Sequence, residues 1–323
     1  MEALKPKVII MYEGKDVSGD FRPIIKDITF RDYLDGKASE ISMSLSNKFG
    51  YFFGDWYPQI DDRIDVMMGY EGSGLLDAGT FFVDETDMYG SRSGDDFSLR
   101  AMSIQSSALN SASHKICYSN KPIADIATTI ADSLGCSITG ELSGTFSGVQ
   151  TETNLAFLNR IAKEHGRILK IDNGAIILYP INDLGSNSLL TIKKQDTLNY
   201  RISDVAAGRI SRVMVKWWDR DKKKMIEGEY DVKVKGGGSI VVWQEIASSE
   251  DATERARDML AERNKGGLSF EIEMLGDTRL RAGVSIEASG FGRFDTTYYI
   301  SEACHQITNN AGYITRITLN KNR

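Results

Sequence analysis

Hydrophobic and polar side chains alternate with a period of two through much of the first hundred residues. The clearest example follows Ala38, where Ile41, Met43 and Leu45 are separated by single serines. This alternation is typical of a β-strand with one buried face and one solvated face. Similar short segments recur at residues 8–12, 64–66, 81–83 and 97–101. Because turn residues separate these segments, the pattern predicts an antiparallel sheet or barrel.

The period changes to that of a helix in the middle of the chain. Two apolar stripes at helical spacing predict two helices, and Gly135 follows the first at the position of a C-terminal cap. The stripes consist of Ile123, Ile126, Ala127, Ile130 and Leu134, and of Leu155, Leu158, Ile161 and Ala162. Asp172-Asn173-Gly174 then lies between two apolar segments and predicts a tight hairpin. Two helices and a hairpin together predict a small α+β module.

Strands resume after residue 190. Residues 212–218 form an apolar strand pattern, and further strands are expected near Val284, Tyr298 and Ile317. One helix interrupts this series near residues 248–264, where the residues from Ser248 onward resemble a capping box. The last part of the chain is therefore predicted to be β-structure with one inserted helix.

One strand motif occurs twice. An Asp, an aromatic pair, a β-branched residue and a Glu stand in the same order in both copies. These residues are Asp77, Phe81, Phe82, Val83 and Glu85 in the first copy, and Asp295, Tyr298, Tyr299, Ile300 and Glu302 in the second. For the strand before each motif, we match Ile64-Asp65-Val66 with Val284-Ser285-Ile286. Aromatic and β-branched residues favour strands in general, but the acidic residues at similar positions favour duplication of one β module.

The predicted fold class is therefore mainly β with an α+β insertion. We expect a first β-barrel domain over residues 1–105 and an α+β module over residues 106–190. A second, related β-barrel is expected over residues 191–323, with the helix near residues 248–264 inserted in it. A chain of 323 residues has room for two or three domains of ordinary size.

Composition restricts the classes of function. Hydrophobic residues at 41% and charged residues at 26% describe an ordinary globular protein. The net charge of −6, from 39 basic and 45 acidic residues, argues against a dedicated nucleic-acid binder, which needs a dense positive surface. No apolar run reaches about 18 residues, and the N-terminus has no secretion-signal pattern. The separated cysteines Cys117, Cys136 and Cys304 show no disulfide or metal spacing, which fits a reducing compartment.

The sequence offers no convergent set of catalytic or metal-binding residues. His114, His165 and His305 are far apart, and neither a carboxylate nor a thiol stands near His305 at ligand spacing. We place His305 near the end of a strand. The glycines at 236–238 lack the lysine of a phosphate-binding loop. We therefore predict no catalytic residue, no metal and no cofactor.

An aromatic segment, KFGYFFGDWYPQI, stands out among the predicted loops. Its two glycines and Pro58 disfavour a strand, so its six aromatic side chains must be buried in another way. They pack either against the mouth of the chain's own barrel or against another subunit, and both alternatives stay open. We select Phe52, Phe53, Trp56 and Tyr57 as candidate interface residues.

Several segments, in this order along the chain, resemble one known family. They are "GKDVSGDF", "LDGKASEISMSLSN", "WYPQIDDRIDVMMGY", "TNLAFLNRIAKEHG" and "GDTRLRAGVSIEASGFGRFDTTYYISEACHQITNNAGYITRITL". The chain resembles the late control protein D family, the baseplate hub proteins of contractile phage tails, phage-derived bacteriocins and related injection systems. It is also similar to the N-terminal hub of type VI secretion spike proteins. Each motif is loose, and the specificity lies in their order over nearly the whole chain.

The resemblance implies a structural function. Hub proteins of this family form homotrimers in which two barrels per chain make a ring of pseudo-sixfold symmetry. Such a ring joins a sixfold tail tube to a threefold central spike. The implied partners are the spike, the tube protein or a tube initiator, and other baseplate proteins, with no specific nucleic acid and no membrane span. Assembly is expected in the bacterial cytoplasm, before the protein becomes part of a virion or tail-like particle. The family supplies no catalytic residues.

Two other classes of function stay open at this point. A tail-associated peptidoglycan hydrolase would need an acid in a cleft, for which Asp61, Asp62 and Glu85 are the candidates. A sugar-binding adhesin would use exposed aromatic side chains, and Trp56 is the candidate there. The structural hub is the favoured hypothesis.

Overall fold

The alternating segments at the start of the chain form strands with the predicted spacing. The computed structural model describes residues 4–105, 115–184, 190–204, 210–220, 223–232, 237–264 and 268–321. Its first strands are β1 (Pro6–Tyr12), β2 (Lys15–Asp16), β3 (Ile25–Tyr33), β4 (Glu40–Ser46), β5 (Arg63–Tyr70), β6 (Leu76–Ser91) and β7 (Gly94–Met102). A short helix, α1 (Ser18–Phe21), lies between β2 and β3. On β4, Ile41, Met43 and Leu45 are buried and the alternate side chains are half-exposed, which is the predicted one-sided pattern.

The α+β module follows. It contains β8 (Ile116–Pro122), α2 (Ile123–Ser133), β9 (Ser137–Thr139), β10 (Thr145–Gln150), α3 (Asn154–Glu164), β11 (Arg167–Asp172) and β12 (Ala175–Pro180). The predicted stripe on α2 is buried throughout, and on α3 all of the predicted stripe except Leu155 is buried. Asn173 and Gly174 both have positive φ, at 47° and 68°, so they form the predicted turn between β11 and β12. The strands β8, β9 and β10 were not predicted.

The last part of the chain continues the strand series and adds one helix. Its elements are β13 (Leu190–Lys193), β14 (Thr197–Asp204), β15 (Ile210–Asp219), β16 (Lys224–Asp231), β17 (Gly238–Trp243), α4 (Ser249–Asn264), β18 (Leu268–Leu275), β19 (Ser285–Ser289), β20 (Thr296–Thr308) and β21 (Gly312–Asn320). Strands predominate over helices along the described chain, which confirms the mainly β fold class.

The chain divides into two compact units. One consists of Met1–Asn199 together with Ile272–Asn322, and the other is Tyr200–Glu271. In the smaller unit, three strands lie in the order β16-β15-β17, and Ala252, Ala256 and Leu260 of α4 pack against the central strand. The helix begins where the capping pattern predicts, because the Ser248 hydroxyl oxygen accepts a hydrogen bond from the Asp251 amide at 3.1 Å.

The larger unit is built on one extensive sheet. Its main strand order is β14-β18-β21-β20-β3-β4-β7-β6-β5-β1-β2, and β13 and β19 join it through β20. The two halves of this order repeat each other. The first copy runs β3-β4-β7-β6-β5-β1, and the second copy runs β14-β18-β21-β20-β19-β13. The last pair differs, because β1 is antiparallel to β5 whereas β13 is parallel to β19.

Strand register supports the same repeat in detail. Ile64 pairs with Phe81 in the first copy, and Ile286 pairs with Tyr298 in the second. Each long strand also has an irregularity at the same point of its motif, between Val83 and Glu85 on β6 and between Ile300 and Glu302 on β20. β-Bulges are position-specific features that are conserved within families, so two unrelated hairpins would not be expected to share one at the same position. Its recurrence supports a true internal repeat.

The register also corrects one detail of the sequence comparison. Ile64 is equivalent to Ile286, not to Val284, so our match of the preceding strands was wrong by two residues. The cause is that the two turns differ in length, and a match made without pairing information places the gap arbitrarily. The two copies share one sheet through the pairing of β20 with β3. The closure of each copy into a barrel stays a prediction.

A buried ionic cluster joins three parts of the larger unit. Asp32 on β3 is fully buried, and one of its carboxylate oxygens accepts hydrogen bonds from the Lys170 ammonium and the Ala282 amide, both at 3.0 Å. Arg281 bridges Asp32 at 3.3 Å and Asp172 at 3.1 Å. Because β3, β11 and the segment before β19 each supply a charge, the cluster holds the α+β module against both copies of the repeat.

Candidate assembly surfaces

The aromatic segment between β4 and β5 is anchored by one buried ring. Phe52, at 1% exposure, stacks on Phe97 of β7 with ring centroids 4.2 Å apart. Its backbone amide donates a hydrogen bond to the side-chain oxygen of Asn47 at 3.1 Å. These contacts place Phe52 in the core of the first copy, where its side chain is unavailable to a partner.

Trp56 supports the loop from the side. Its ring stacks on Phe21 of α1 at 5.9 Å and lies edge-on to Phe52 at 6.0 Å. Tyr51 leans over the same indole at 4.5 Å. Trp56 is therefore half-buried and holds the shape of the loop, which leaves it a poor platform for a stacked sugar.

Five other apolar side chains of this loop are exposed to solvent. We call them the aromatic patch: Phe49, Tyr51, Phe53, Tyr57 and Ile60, all substantially exposed. Phe53 is 66% exposed and Tyr57 is 47% exposed. The Tyr57 hydroxyl lies 2.9 Å from the hydroxyl of Thr86 on β6, so the patch is attached to the first copy at a second point. A clustered, exposed set of aromatic rings is a common mark of a protein–protein contact.

The four predicted interface residues thus separate into two pairs. Phe52 and Trp56 stabilise the loop from inside, while Phe53 and Tyr57 belong to the exposed patch. Ile60 completes the patch and was missed, because a single isoleucine beside Pro58 carries no pattern of its own. The role of the patch as an interface stays a prediction.

A second candidate surface is an open strand edge. β6 pairs with β5 only through Leu76–Phe82, whereas β7 accompanies it on the other side as far as Ser91. Residues 85–91 of β6 consequently have a strand partner on one side only, among the residues that the structure describes. An unpaired edge presents backbone donors and acceptors to any strand that can dock there.

The acids considered for a hydrolase have structural partners. Asp62 accepts hydrogen bonds from the Tyr12 hydroxyl and from the Gln59 amide, the latter at 2.6 Å. Burial raises the pKa of Tyr12, and the hydrogen bond to Asp62 raises it further. Glu85 forms an ion pair with Arg100 at 2.8 Å. These contacts tie the segment before β5 to β1, and Glu85 to β7, so the Asp62 and Glu85 carboxylates both have structural roles.

His305 lies near the C-terminal end of β20, as the sequence predicted, and its side chain is fully buried. Its Nε2 donates to the carbonyl oxygen of Leu280 at 2.7 Å, and its Nδ1 accepts from the Tyr313 hydroxyl at 2.7 Å. Burial lowers the pKa of His305 to about 4, so the ring is neutral at pH 7. His165 ends α3, where its Nδ1 lies 2.9 Å from the Ile161 carbonyl oxygen, and His114 lies outside the described residues.

Two further searches of the described part of the chain gave no site. Within it, His, Cys, Asp and Glu side chains nowhere gather in threes that could hold a metal ion. Its helices are all too short or too polar to span a bilayer. The geometry thus offers two surfaces for association, the aromatic patch and the β6 edge.

Comparison with known proteins finds a phage protein of similar length. A protein named "Probable baseplate hub protein" from Escherichia phage 186 is 20% identical, over 98% of this chain and 93% of the phage protein. The chain is thus similar to this phage protein over nearly the whole length of both. No family model matches it.

Solved structures of several tail and secretion proteins share this fold. The 43 kDa tail protein of prophage MuSo2 from Shewanella oneidensis has a TM-score of 0.74 and 15% identity, over 97% of this chain and 98% of that chain. A tail protein from Neisseria meningitidis MC58 has a TM-score of 0.75 and 13% identity, over 98% and 97%. An Escherichia coli type VI secretion component has a TM-score of 0.59 and 12% identity, over 92% and 73%. None of these names describes a catalytic activity.

Proposed function

We propose that this protein is a structural baseplate hub of a contractile tail and that it assembles into a homotrimeric ring. Each chain contributes two copies of one strand set, so three chains place six similar modules around one axis. A closed ring repeats one interface per subunit, and a duplicated module therefore gives a trimer nearly sixfold surfaces. Such a ring connects a sixfold tail tube on one face to a threefold central spike on the other.

The observation that carries the proposal is the junction between β20 and β3. This junction already joins the second copy to the first copy within one chain, over seven residue pairs from Glu302–Tyr33 to Thr308–Asp27. If the same junction recurs between chains, the modules continue around a ring. The strand order and the matching bulges support equivalence of the copies.

The relatives support the class of partner. The phage 186 protein is named as a baseplate hub, and the Escherichia coli structure is described as similar to T4 tail proteins gp27 and gp5. We propose a central spike protein, a tube protein or tube initiator, and neighbouring baseplate proteins as partners of this chain, with the aromatic patch as one contact. Assembly takes place in the bacterial cytoplasm, and the finished hub is part of a virion or tail-like particle.

The test is the mass and symmetry of the purified chain. Light scattering is expected to give three times the chain mass of 35.9 kDa, and electron micrographs down the axis should show six lobes around a channel. The same measurements on the chain co-expressed with its spike serve as the second condition. A monomer at high concentration in both conditions would refute the ring, as would a ring with a chain number other than three.

A further inference from the structure

The junction inside the chain is a complete example of how two modules join. Strands β20 and β3 are antiparallel, with Cys304 opposite Arg31 and Gln306 opposite Thr29. The Gln306 side-chain amide also donates to Asp27 at 2.6 Å, so side chains reinforce the backbone pairing. Every strand pair of this kind places directly opposed side chains within contact of one another.

The first copy contains a strand edge equivalent to the edge of β20 that pairs with β3, and no described strand pairs with it. The repeat makes Glu302–Thr308 of β20 equivalent to residues 85–91 of β6, because the two segments follow the same bulge. In β20 this segment pairs with β21 on one side and β3 on the other. Within the described ranges, the equivalent segment of β6 pairs with β7 on one side and with no strand on the other, and Tyr89 within it is 75% exposed.

The second copy contains the strand that is equivalent to β3. β14 occupies the place of β3 in the strand order and is the last of the described strands at its end of the sheet. Its residues 198–201, Leu-Asn-Tyr-Arg, follow the same pattern as residues 28–31 of β3, Ile-Thr-Phe-Arg. Leu198 is half-exposed, which is unusual for a leucine in a sheet. Through this match, Arg201 is the counterpart of Arg31.

We propose that β14 of a second copy of this chain docks antiparallel on residues 85–91 of β6. This contact deepens the proposed hub function and rests on it. Transferring the register of β20 and β3 places Asp87, the equivalent of Cys304, opposite Arg201 of the second copy. Both side chains are exposed in the single chain, and their charges are opposite. The contact is head-to-tail, because it joins two different strands, and three such contacts form a ring when the rotation between neighbouring chains is one third of a turn.

Charge complementarity is the part of this contact that mutation can isolate. Asp87→Lys places two cations opposite each other, and Arg201→Asp places two carboxylates opposite each other, which is unfavourable in either case. The double variant restores opposite charges with their positions exchanged. We expect each single variant to raise the dissociation constant of the oligomer at least tenfold and the double variant to lie within threefold of wild type.

The experiment measures oligomer mass against concentration for the full-length wild type and these three variants. Asp125→Lys combined with Lys121→Asp is the matched control, because both residues are exposed on the α+β module, away from the two edges. Circular dichroism of each variant shows that the strands are intact. Recovery in the double variant, with no change in the control, supports the contact.

A register test adds a second readout. Asp87→Cys with Arg201→Cys is expected to form a disulfide between chains on mild oxidation, identified by mass spectrometry of the linked peptides. Asp125→Cys with Arg201→Cys should remain unlinked. If the wild type is a ring but the charge variants assemble normally and no link forms, the docking of β14 on β6 is overturned while the ring stands. A monomeric wild type overturns the hub ring itself, and this contact with it.

Discussion

Removal of the Asp32 charge should destabilise the larger unit more than any exposed ion pair could. The perturbation is Asp32→Asn, which keeps the size of the side chain and removes its charge. Lys170, at 4% side-chain exposure, and Arg281 then lose their shared carboxylate. Loss of one partner from a buried ion pair costs about 3–5 kcal/mol, because the remaining charge stays desolvated.

The surroundings place the expected cost at the lower end of that range. Asp172 remains 3.1 Å from Arg281 and 3.7 Å from Lys170, so both cations keep one acid nearby. We therefore expect a loss of about 3 kcal/mol in the free energy of unfolding. For a unit of this size, each kcal/mol lowers the melting temperature by roughly 2–4 °C, which gives a shift of about 6–12 °C.

The assay is thermal and urea unfolding followed by circular dichroism, at one protein concentration. Asp96→Asn is the control, because it breaks the exposed Lys26–Asp96 pair and should cost less than about 1 kcal/mol. Asp32→Asn combined with Lys170→Met should lose less than the sum of the single variants, since it also removes the buried ammonium that has lost Asp32. A melting temperature within about 2 °C of wild type for Asp32→Asn would mean a loss of at most about 1 kcal/mol in the free energy of unfolding. That result would refute the reasoning.

Two further predictions concern the core and the aromatic patch. His305 has its pKa lowered to about 4, so its contribution to stability is complete above pH 6.5 and is lost as the pH falls toward 4, by about 3 kcal/mol in total. His305→Asn should flatten this part of the pH dependence in urea titrations, and an unchanged slope would contradict the assignment. Phe52→Ala should lower the free energy of unfolding by about 3–5 kcal/mol because that ring is fully buried. Phe53→Ser should change it by less than about 1 kcal/mol because Phe53 is exposed. Phe53→Ser should nevertheless weaken capture of the co-expressed spike or tube protein. Normal capture by Phe53→Ser would remove the patch from the contact surface.

Local pattern was sufficient for the elements but not for the pairings between them. The stripe from Ile123 to Leu134 and the Asn173-Gly174 turn are properties of short segments, and both predictions were confirmed. The pairing of β20 with β3 joins residues far apart in sequence. Alternation identifies a strand and its buried face but does not identify its neighbour, so this junction could be found only in the structure.

The buried charges show the same limit in another form. Asp, Lys and Arg are residue types that usually lie at the surface. Nothing in the sequence around Asp32, Lys170 or Arg281 indicates that the three share a buried site. In the aromatic segment, composition showed that several rings needed cover. The inward direction of the Phe52 ring depends on its contacts with Asn47 and Phe97, which lie outside the loop residues that carry the rings. Tertiary contacts therefore decided which rings were left for a partner.

The connection between β14 and β18 has a consequence for the decoration of the assembly. In the first copy the equivalent strands β3 and β4 are joined by the short stretch 34–39, whereas residues 205–267 intervene in the second copy. In a ring of three chains, this long insertion would therefore occur three times, once for every two copies of the strand set. The two strand sets of each chain would then present six similar positions to a hexameric neighbour, whereas the smaller unit would occur only three times. A protein that needs three binding positions would bind the smaller unit rather than the strand sets.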